Sequence, residues 1–156
     1  MAKELDAGDP APDFALPTDG AGHARLAGFK GKAVVLYFYP KDDTSGCTAE
    51  AIAFSGLKAK FNAAGAVVVG VSPDSSASHD KFKKKHNLAV ALAADPERSA
   101  IEAYGVWKEK SMYGRKYFGV ERSTFLIDRK GRIARIWRKV KVPGHADEVL
   151  AAAKAL

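Results

Sequence analysis

The chain has 156 residues, 47% of them apolar and 28% charged, an ordinary globular balance at a length that suits one domain with a sizeable core and argues against two. Its formal charge of +7 permits weak attraction to polyanions, but the basic residues are scattered, with local groups only at Lys81 to Lys85 and from Arg129 to Lys141, too little for a nucleic-acid surface. One cysteine, Cys47, excludes an internal disulfide, a Cys-x-x-Cys redox pair and a thiolate-built zinc site; no stretch approaches the roughly 20 apolar residues of a membrane span, and Met1-Ala2-Lys3-Glu4-Leu5-Asp6 has no apolar signal core, so a cytoplasmic protein without membrane or nucleic-acid partners is expected.

Residues 1–12, with Pro10 and Pro12 and little periodicity, read as an extended lead-in. Phe14 and Leu16 alternate with small residues as a short strand, and a turn at Asp19-Gly20-Ala21-Gly22 with a second strand around His23 to Leu26 completes a hairpin. The run from Ala33 to Tyr39 is continuously apolar, β-branched and aromatic, the pattern of a short strand buried on both faces, and Pro40 stops it. A polar loop ends in Thr44-Ser45-Gly46, and from Cys47 onward Ala51, Phe54, Leu57, Lys58 and Phe61 recur at helical spacing, up to a stop at Gly65. Ala66 to Ser72 is a second buried strand, and strand, helix, strand in this order predicts a parallel crossover.

Pro73-Asp74-Ser75-Ser76 opens the next helix, with Phe82 inside, the lysines from 81 to 85 on its solvated face and His86-Asn87 near its end. Leu88 to Ala93 is a weaker strand, and Asp95-Pro96-Glu97-Arg98 caps a helix through Tyr104 that Gly105 ends. Trp107 to Lys116 reads as a loop rich in aromatic and basic groups, followed by a strand-like Tyr117 to Val120; Trp107, Tyr113 and Phe118 are read as core ahead of pocket edge. Ser123 to Ile127 and Ile133 to Trp137 flank the turn Asp128-Arg129-Lys130-Gly131 and should be antiparallel, and Gly144-His145-Ala146-Asp147-Glu148 opens a C-terminal amphipathic helix. The resulting architecture is a mixed α/β sheet, parallel in the middle and antiparallel at one side, with helices on both faces.

This order puts Cys47 in the first turn of a helix, just beyond a buried strand. Unpaired backbone N–H groups and the positive end of the helix dipole stabilise an anion there, and the thiolate is the nucleophilic form of cysteine. The competing reading is a buried, inert thiol. Thr44, three residues earlier, can turn its hydroxyl into the same helix mouth or act as a simple N-cap, and the two roles can coexist. His23, His79, His86 and His145 show no pair at metal spacing, so structural or surface roles are expected for them.

The string Pro40-x-x-x-Thr44-x-x-Cys47 resembles the active-site signature of the peroxiredoxins, and Tyr37 to Cys47 followed by Thr48-x-Glu50 is similar to the bacterioferritin comigratory protein subgroup. The likeness runs from Asp9-Pro10-Ala11-Pro12-Asp13-Phe14 through Gly70-Val71-Ser72 to Glu121-Arg122-Ser123-Thr124-Phe125-Leu126-Ile127-Asp128. It implies a single thioredoxin-like domain over residues 1–156 and a thiol-dependent peroxidase, in which Cys47 attacks the O–O bond of hydrogen peroxide or an organic hydroperoxide and becomes a sulfenic acid. The resemblance gives each site residue a part. Pro40 shapes the loop and shields Cys47 from water, Thr44 donates to a peroxide oxygen, and Arg122 is the cation brought beside the sulfur. Glu50 is the carboxylate that orients Arg122, with an exposed first-turn acid as its competing reading. No cofactor is implied, and a monomer is.

Two departures matter. Members of the subgroup often carry a second, resolving cysteine five residues after the first or on the following helix, but Ile52 stands at the former place and the helix from Ser76 to His86 has no thiol. Recycling is therefore expected from an external thiol, either thioredoxin, glutaredoxin or a small thiol, or from Cys47 of another chain. Ser45 stands where the subgroup usually has proline, which predicts a looser loop. The alternative from another class is a redox-sensing or interaction protein switched by oxidation of Cys47.

Overall fold

The computed structural model describes residues 4–156. Met1, Ala2 and Lys3, where the expected extended lead-in and the opening without a signal core begin, lie outside the described residues. Strands β1 (Ala15–Pro17) and β2 (His23–Arg25) form the expected antiparallel hairpin. They are followed by β3 (Ala33–Phe38), α1 (Ser45–Gly56), α2 (Lys58–Ala63), β4 (Ala66–Ser72) and α3 (Ser76–His86). The remainder comprises β5 (Ala91–Ala94), α4 (Ser99–Ala103), β6 (Trp107–Met112), β7 (Arg115–Val120), β8 (Ser123–Ile127), β9 (Ile133–Trp137) and α5 (His145–Lys154).

Five strands pair in the order β5-β4-β3-β8-β9, parallel between β3, β4 and β5 and antiparallel between β3, β8 and β9. Strand β3 lies in the middle with every residue buried, as its unbroken apolar run requires. Because strand side chains alternate, its residues divide the core between two layers. Val35, Tyr37 and Tyr39 pack on one side with Cys47, Phe54, Phe61 and the α5 residues Val149 and Leu150. Val34, Leu36 and Phe38 pack on the other with Phe14, Ile101, Tyr104 and Phe125. Each such fully buried side chain contributes about 1.5–3 kcal/mol of transfer free energy, so β3 is the thermodynamic centre of the sheet.

The structure corrects several local expectations. The single helix expected after Cys47 breaks after Gly56, a poor helix former, and resumes at Lys58; Gly65, at φ +76°, does end it. Strand β5 begins at Ala91, three residues later than expected, because Asn87 caps α3 in the left-handed region and Leu88 to Val90 lead from that cap to the sheet. Asp95 does cap α4, accepting from the amides of Ser99 and Ile101 at 2.9 and 2.8 Å, but the left-handed Arg98 delays the helix to Ser99.

The largest correction concerns residues 107–120. The expected aromatic loop is a regular antiparallel hairpin, β6 on β7, closed by Tyr113 and Gly114 at φ +52° and +76°. Two successive positive φ values are those of a tight turn matched to strand twist, and only the glycine signals it in the sequence. Tyr113 is 99% and Phe118 59% exposed, so both are surface residues and not core; Trp107 alone of the three is half-buried, beneath the Arg98 guanidinium.

Candidate active site

The site forms where β3 leaves the sheet. Tyr39 ends the buried run, Pro40 to Thr44 cross to helix α1, and Cys47 is the third residue of that helix. On the adjoining strand, Phe38 pairs with Ser123, so the antiparallel register brings Arg122, one residue ahead of β8, alongside the exit of β3. The Arg122 carbonyl accepts from the Val140 amide at 2.9 Å, and the Glu121 amide donates to Val106, which fixes the backbone on both sides of it.

From there the guanidinium forks between the sulfur of Cys47 and the carboxyl of Glu50. Nη2 donates to Cys47 Sγ at 3.3 Å and Nη1 to Glu50 Oε1 at 2.7 Å. Cys47 and Glu50 are three residues apart, hence on one face of α1, which is what allows a single planar cation to reach both. Glu50 is only 1% exposed, so the reading of it as an exposed first-turn acid is overturned. Burial outweighs the pull of Arg122 and pushes its carboxyl up to about 7. Burial also works against the Arg122 charge, yet Glu50 and Cys47 together lift the guanidinium above the ordinary arginine range, and it stays cationic throughout the physiological span.

Thr44 occupies the N-cap position with extended backbone angles, but its hydroxyl does not cap the helix; it donates to the Lys41 carbonyl at 2.9 Å. The N-cap hydrogen bond is thus absent, while the lone pairs of Oγ1 are left over for another donor. Pro40 is half-buried at the start of the same loop, and Ser45, in the first helical position, is exposed.

Residues that the sequence did not single out support this arrangement. Gly46 leaves room for the cation: a Cβ there would stand 3.2 Å from Arg122 Nη2. Gly70, paired with Tyr37 across β3 and β4, leaves room for the Tyr37 ring, since a Cβ would come within 2.6 Å of it. That ring stacks between Phe54 and Tyr39, at centroid distances of 4.7 and 5.6 Å, and walls the inner side of the site. Burial, then Glu50 and Cys47, push the Tyr37 phenol well above its ordinary range, so it is neutral. Its hydroxyl and Glu50 Oε2 are both buried without a hydrogen-bond partner among the described residues.

The loop from Pro40 to Thr44 is tied to α3. Asp42 is buried and accepts from Tyr39 at 2.6 Å and Ser78 at 2.7 Å, with His79 Nδ1 at 2.7 Å; the second His79 nitrogen faces the Ala93 carbonyl at 3.0 Å. Burial opposes the Asp42 charge, but the hydrogen bonds from His79, Tyr39 and Ser78 overcome it and hold the carboxyl below its usual range. Asp43, in the left-handed region at φ +60°, is gripped by Lys85 and His86 at 2.6 and 2.7 Å. His79 and His86 thus have the structural parts expected of them, and His145 has one too, meeting Thr124 Oγ1 at 2.8 Å under β8. His23 is exposed.

Comparison with known proteins places the chain in a family. A model of the AhpC/TSA family matches residues 7–136. Peroxiredoxin Bcp of Bacillus subtilis is 50% identical over 146 residues, covering 94% of this chain and 93% of its own length. The bacterioferritin comigratory protein of Xanthomonas campestris superposes with a TM-score of 0.90 at 45% identity, over 96% of this chain and 98% of that one. A cysteine-to-serine mutant of PrxQ from Xylella fastidiosa gives a TM-score of 0.93 at 40% identity, over 99% and 98%. The fold of these proteins is the thioredoxin-like one that the sheet order describes, and with such identity across nearly the whole length the chain belongs to the AhpC/TSA family, among its Bcp/PrxQ peroxiredoxins.

Proposed function

We propose that Cys47 is the sulfur that attacks peroxide and that Arg122, Glu50, Thr44 and Pro40 serve it. The chain is a thiol-dependent peroxidase of the peroxiredoxin type. The observation that carries the assignment of residues is the fork of Arg122, which holds a permanent positive charge 3.3 Å from a sulfur in the first turn of a helix. The cation and the N-terminal amides of α1 stabilise the thiolate, and the thiolate attacks one peroxide oxygen. The S–O bond forms as the O–O bond breaks, and the departing alkoxide or hydroxide takes a proton to leave as alcohol or water. Arg122 stabilises the charge as it moves from sulfur to oxygen, while Glu50 sets the plane of the guanidinium. Thr44 rotates its hydroxyl from the Lys41 carbonyl toward the peroxide, and Pro40 keeps the loop from offering a competing N–H.

The Xanthomonas campestris relative has alkyl peroxide reduction activity, which supports organic hydroperoxides beside hydrogen peroxide as substrates here. With a single cysteine in the chain, the Cys47 sulfenic acid is resolved by an external thiol, with thioredoxin, glutaredoxin or a small thiol as the candidates. The chain acts as one domain, as a monomer and in the cytoplasm. Among the described residues no helix is long and apolar enough to cross a membrane. Replacing Cys47 with alanine is expected to abolish peroxide consumption with dithiothreitol as reductant, and wild type should gain one oxygen at Cys47 by mass spectrometry. An alanine variant that still consumes peroxide refutes the assignment; one oxidation per chain without turnover identifies a redox switch instead.

A further inference from the structure

Side chains alternate along β6 and β7, and the register Lys108↔Gly119, Lys110↔Tyr117 and Met112↔Arg115 gathers Lys108, Lys110, Met112, Arg115 and Tyr117 on one face of the hairpin. The other face carries Trp107 and Val120, which root the hairpin in the core, and the Glu109–Lys116 ion pair at 3.6 Å. Within β6 and β7 this face therefore has three cations and no carboxylate, with Met112 56% and Tyr117 43% exposed among them, and the acid that acts on Lys110 is Glu121, just past the end of β7. The two strands pair only with each other, so this ribbon stands apart from the five-stranded sheet.

The root of this hairpin adjoins the sulfur, since Arg122, two residues beyond the end of β7, reaches Cys47 Sγ at 3.3 Å. Lys110 lies over Gly119, its side-chain carbons 3.6–3.8 Å from the place of a Cβ there. Burial, then the Arg122 charge, hold Lys110 below the usual lysine range against the opposing pull of Glu121 and Cys47. Cys47 itself is 2% exposed, so a thiol carried by a protein has to be held at the rim of the recess before it can reach Sγ. Adjoining exposed apolar and charged groups suit a protein surface. A second copy of the chain is a poor occupant: in a two-fold contact the three cations would face their own kind.

We propose that this face docks the protein that recycles Cys47, a dithiol reductant whose reactive cysteine sits on an apolar surface rimmed by carboxylates. The inference rests on the peroxidase reading. The partner's thiolate attacks Sγ of the sulfenic acid, a disulfide forms between the chains, and the hydroxide released takes a proton to become water. The partner's second thiolate then attacks its own half of that disulfide, returning Cys47 as thiolate and leaving the partner oxidised by two electrons.

The test uses the full chain with three reductants in parallel: thioredoxin and glutaredoxin, each kept reduced, and dithiothreitol. With wild type, one of the two proteins should support turnover, at a kcat/KM that falls as salt is raised. A charge-reversed variant, Lys108→Glu with Arg115→Glu, and an apolar one, Met112→Ser with Tyr117→Ser, should each lower that kcat/KM by about tenfold, the scale of rim and hot-spot contacts. Turnover with dithiothreitol and single-turnover oxidation by peroxide should stay within about twofold of wild type, since a local docking loss leaves the chemistry intact. The proposal is overturned if the protein reductant is unaffected, if all reductants slow together, if neither protein supports wild type while dithiothreitol does, or if the variants dissociate a dimer of this chain. If wild type consumes no peroxide even with dithiothreitol, it is the peroxidase reading that falls.

Discussion

Glu50 is a buried acid whose ionisation the fold resists, and this has a measurable consequence for stability. Its carboxyl moves from the ordinary 4.5 to about 7 on folding, because burial costs the anion more than Arg122 returns. A folded value above the unfolded one means that the folded chain holds the proton more tightly, so the stability present at low pH is lost as pH rises between these limits. A span of about 2.5 in pH, at about 1.4 kcal/mol for each, makes the ionised residue cost roughly 3 kcal/mol above pH 7. Glu50→Gln keeps an oxygen for Arg122 Nη1 and puts an amide where Oε2 already lacks a partner, so it resembles the protonated acid in shape and bonding. The stability difference between variant and wild type should therefore be small near pH 4.5 and grow by roughly 3 kcal/mol by pH 8, in favour of glutamine. Urea titrations of both proteins under reducing conditions across this range read the difference directly, and for a chain of this size it corresponds to roughly 6–12 °C in Tm. A difference that stays constant with pH would refute the reasoning, since only the carboxyl's titration distinguishes the two side chains.

Other expectations follow from single contacts. Arg122→Ala should slow oxidation of Cys47 by more than about tenfold, a loss exceeding about 1.4 kcal/mol of transition-state stabilisation, and unchanged stopped-flow kinetics would remove Arg122 from the site. Gly70→Ala drives a Cβ to 2.6 Å from the Tyr37 ring, which Phe54 and Tyr39 prevent from moving aside. It should cost about 1–3 kcal/mol in a denaturant titration, and a neutral result would show that the ring has room. His79→Ala leaves the buried Asp42 carboxylate without its nitrogen partner and should destabilise by about 1.5–3 kcal/mol; a loss below about 1 kcal/mol would mean that Tyr39 and Ser78 suffice.

Much of this protein was legible without coordinates because its strongest signals are local. The apolar runs of β3 and β4 admit only buried strands, the break at Pro40 and the spacing from Ala51 to Phe61 place Cys47 in a first helical turn, and the signature around it names a family. Patterns failed where the deciding force acts from elsewhere in the chain. The hairpin from Trp107 to Val120 has too many charges to show an alternating apolar face, and it is held by backbone pairing around a tyrosine forced to positive φ. Glu50 could be read as an exposed acid or as the carboxylate that orients Arg122, because helical spacing alone leaves its burial open; only the approach of Arg122, one residue ahead of β8, decides it.

The sequence by itself determined which sulfur could be reactive, which elements carry it, and that no second thiol of the same chain can resolve it. The tertiary structure decided what surrounds that sulfur. The antiparallel register of β3 and β8 brings in a cation 75 positions away, Gly46 and Gly70 leave the volumes into which Arg122 and Tyr37 fit, and α3 holds the loop between Pro40 and Thr44 by its acids. The physical reason is that a residue's secondary structure follows largely from its neighbours along the chain, whereas charge stabilisation and desolvation depend on distances set by packing between elements far apart in sequence.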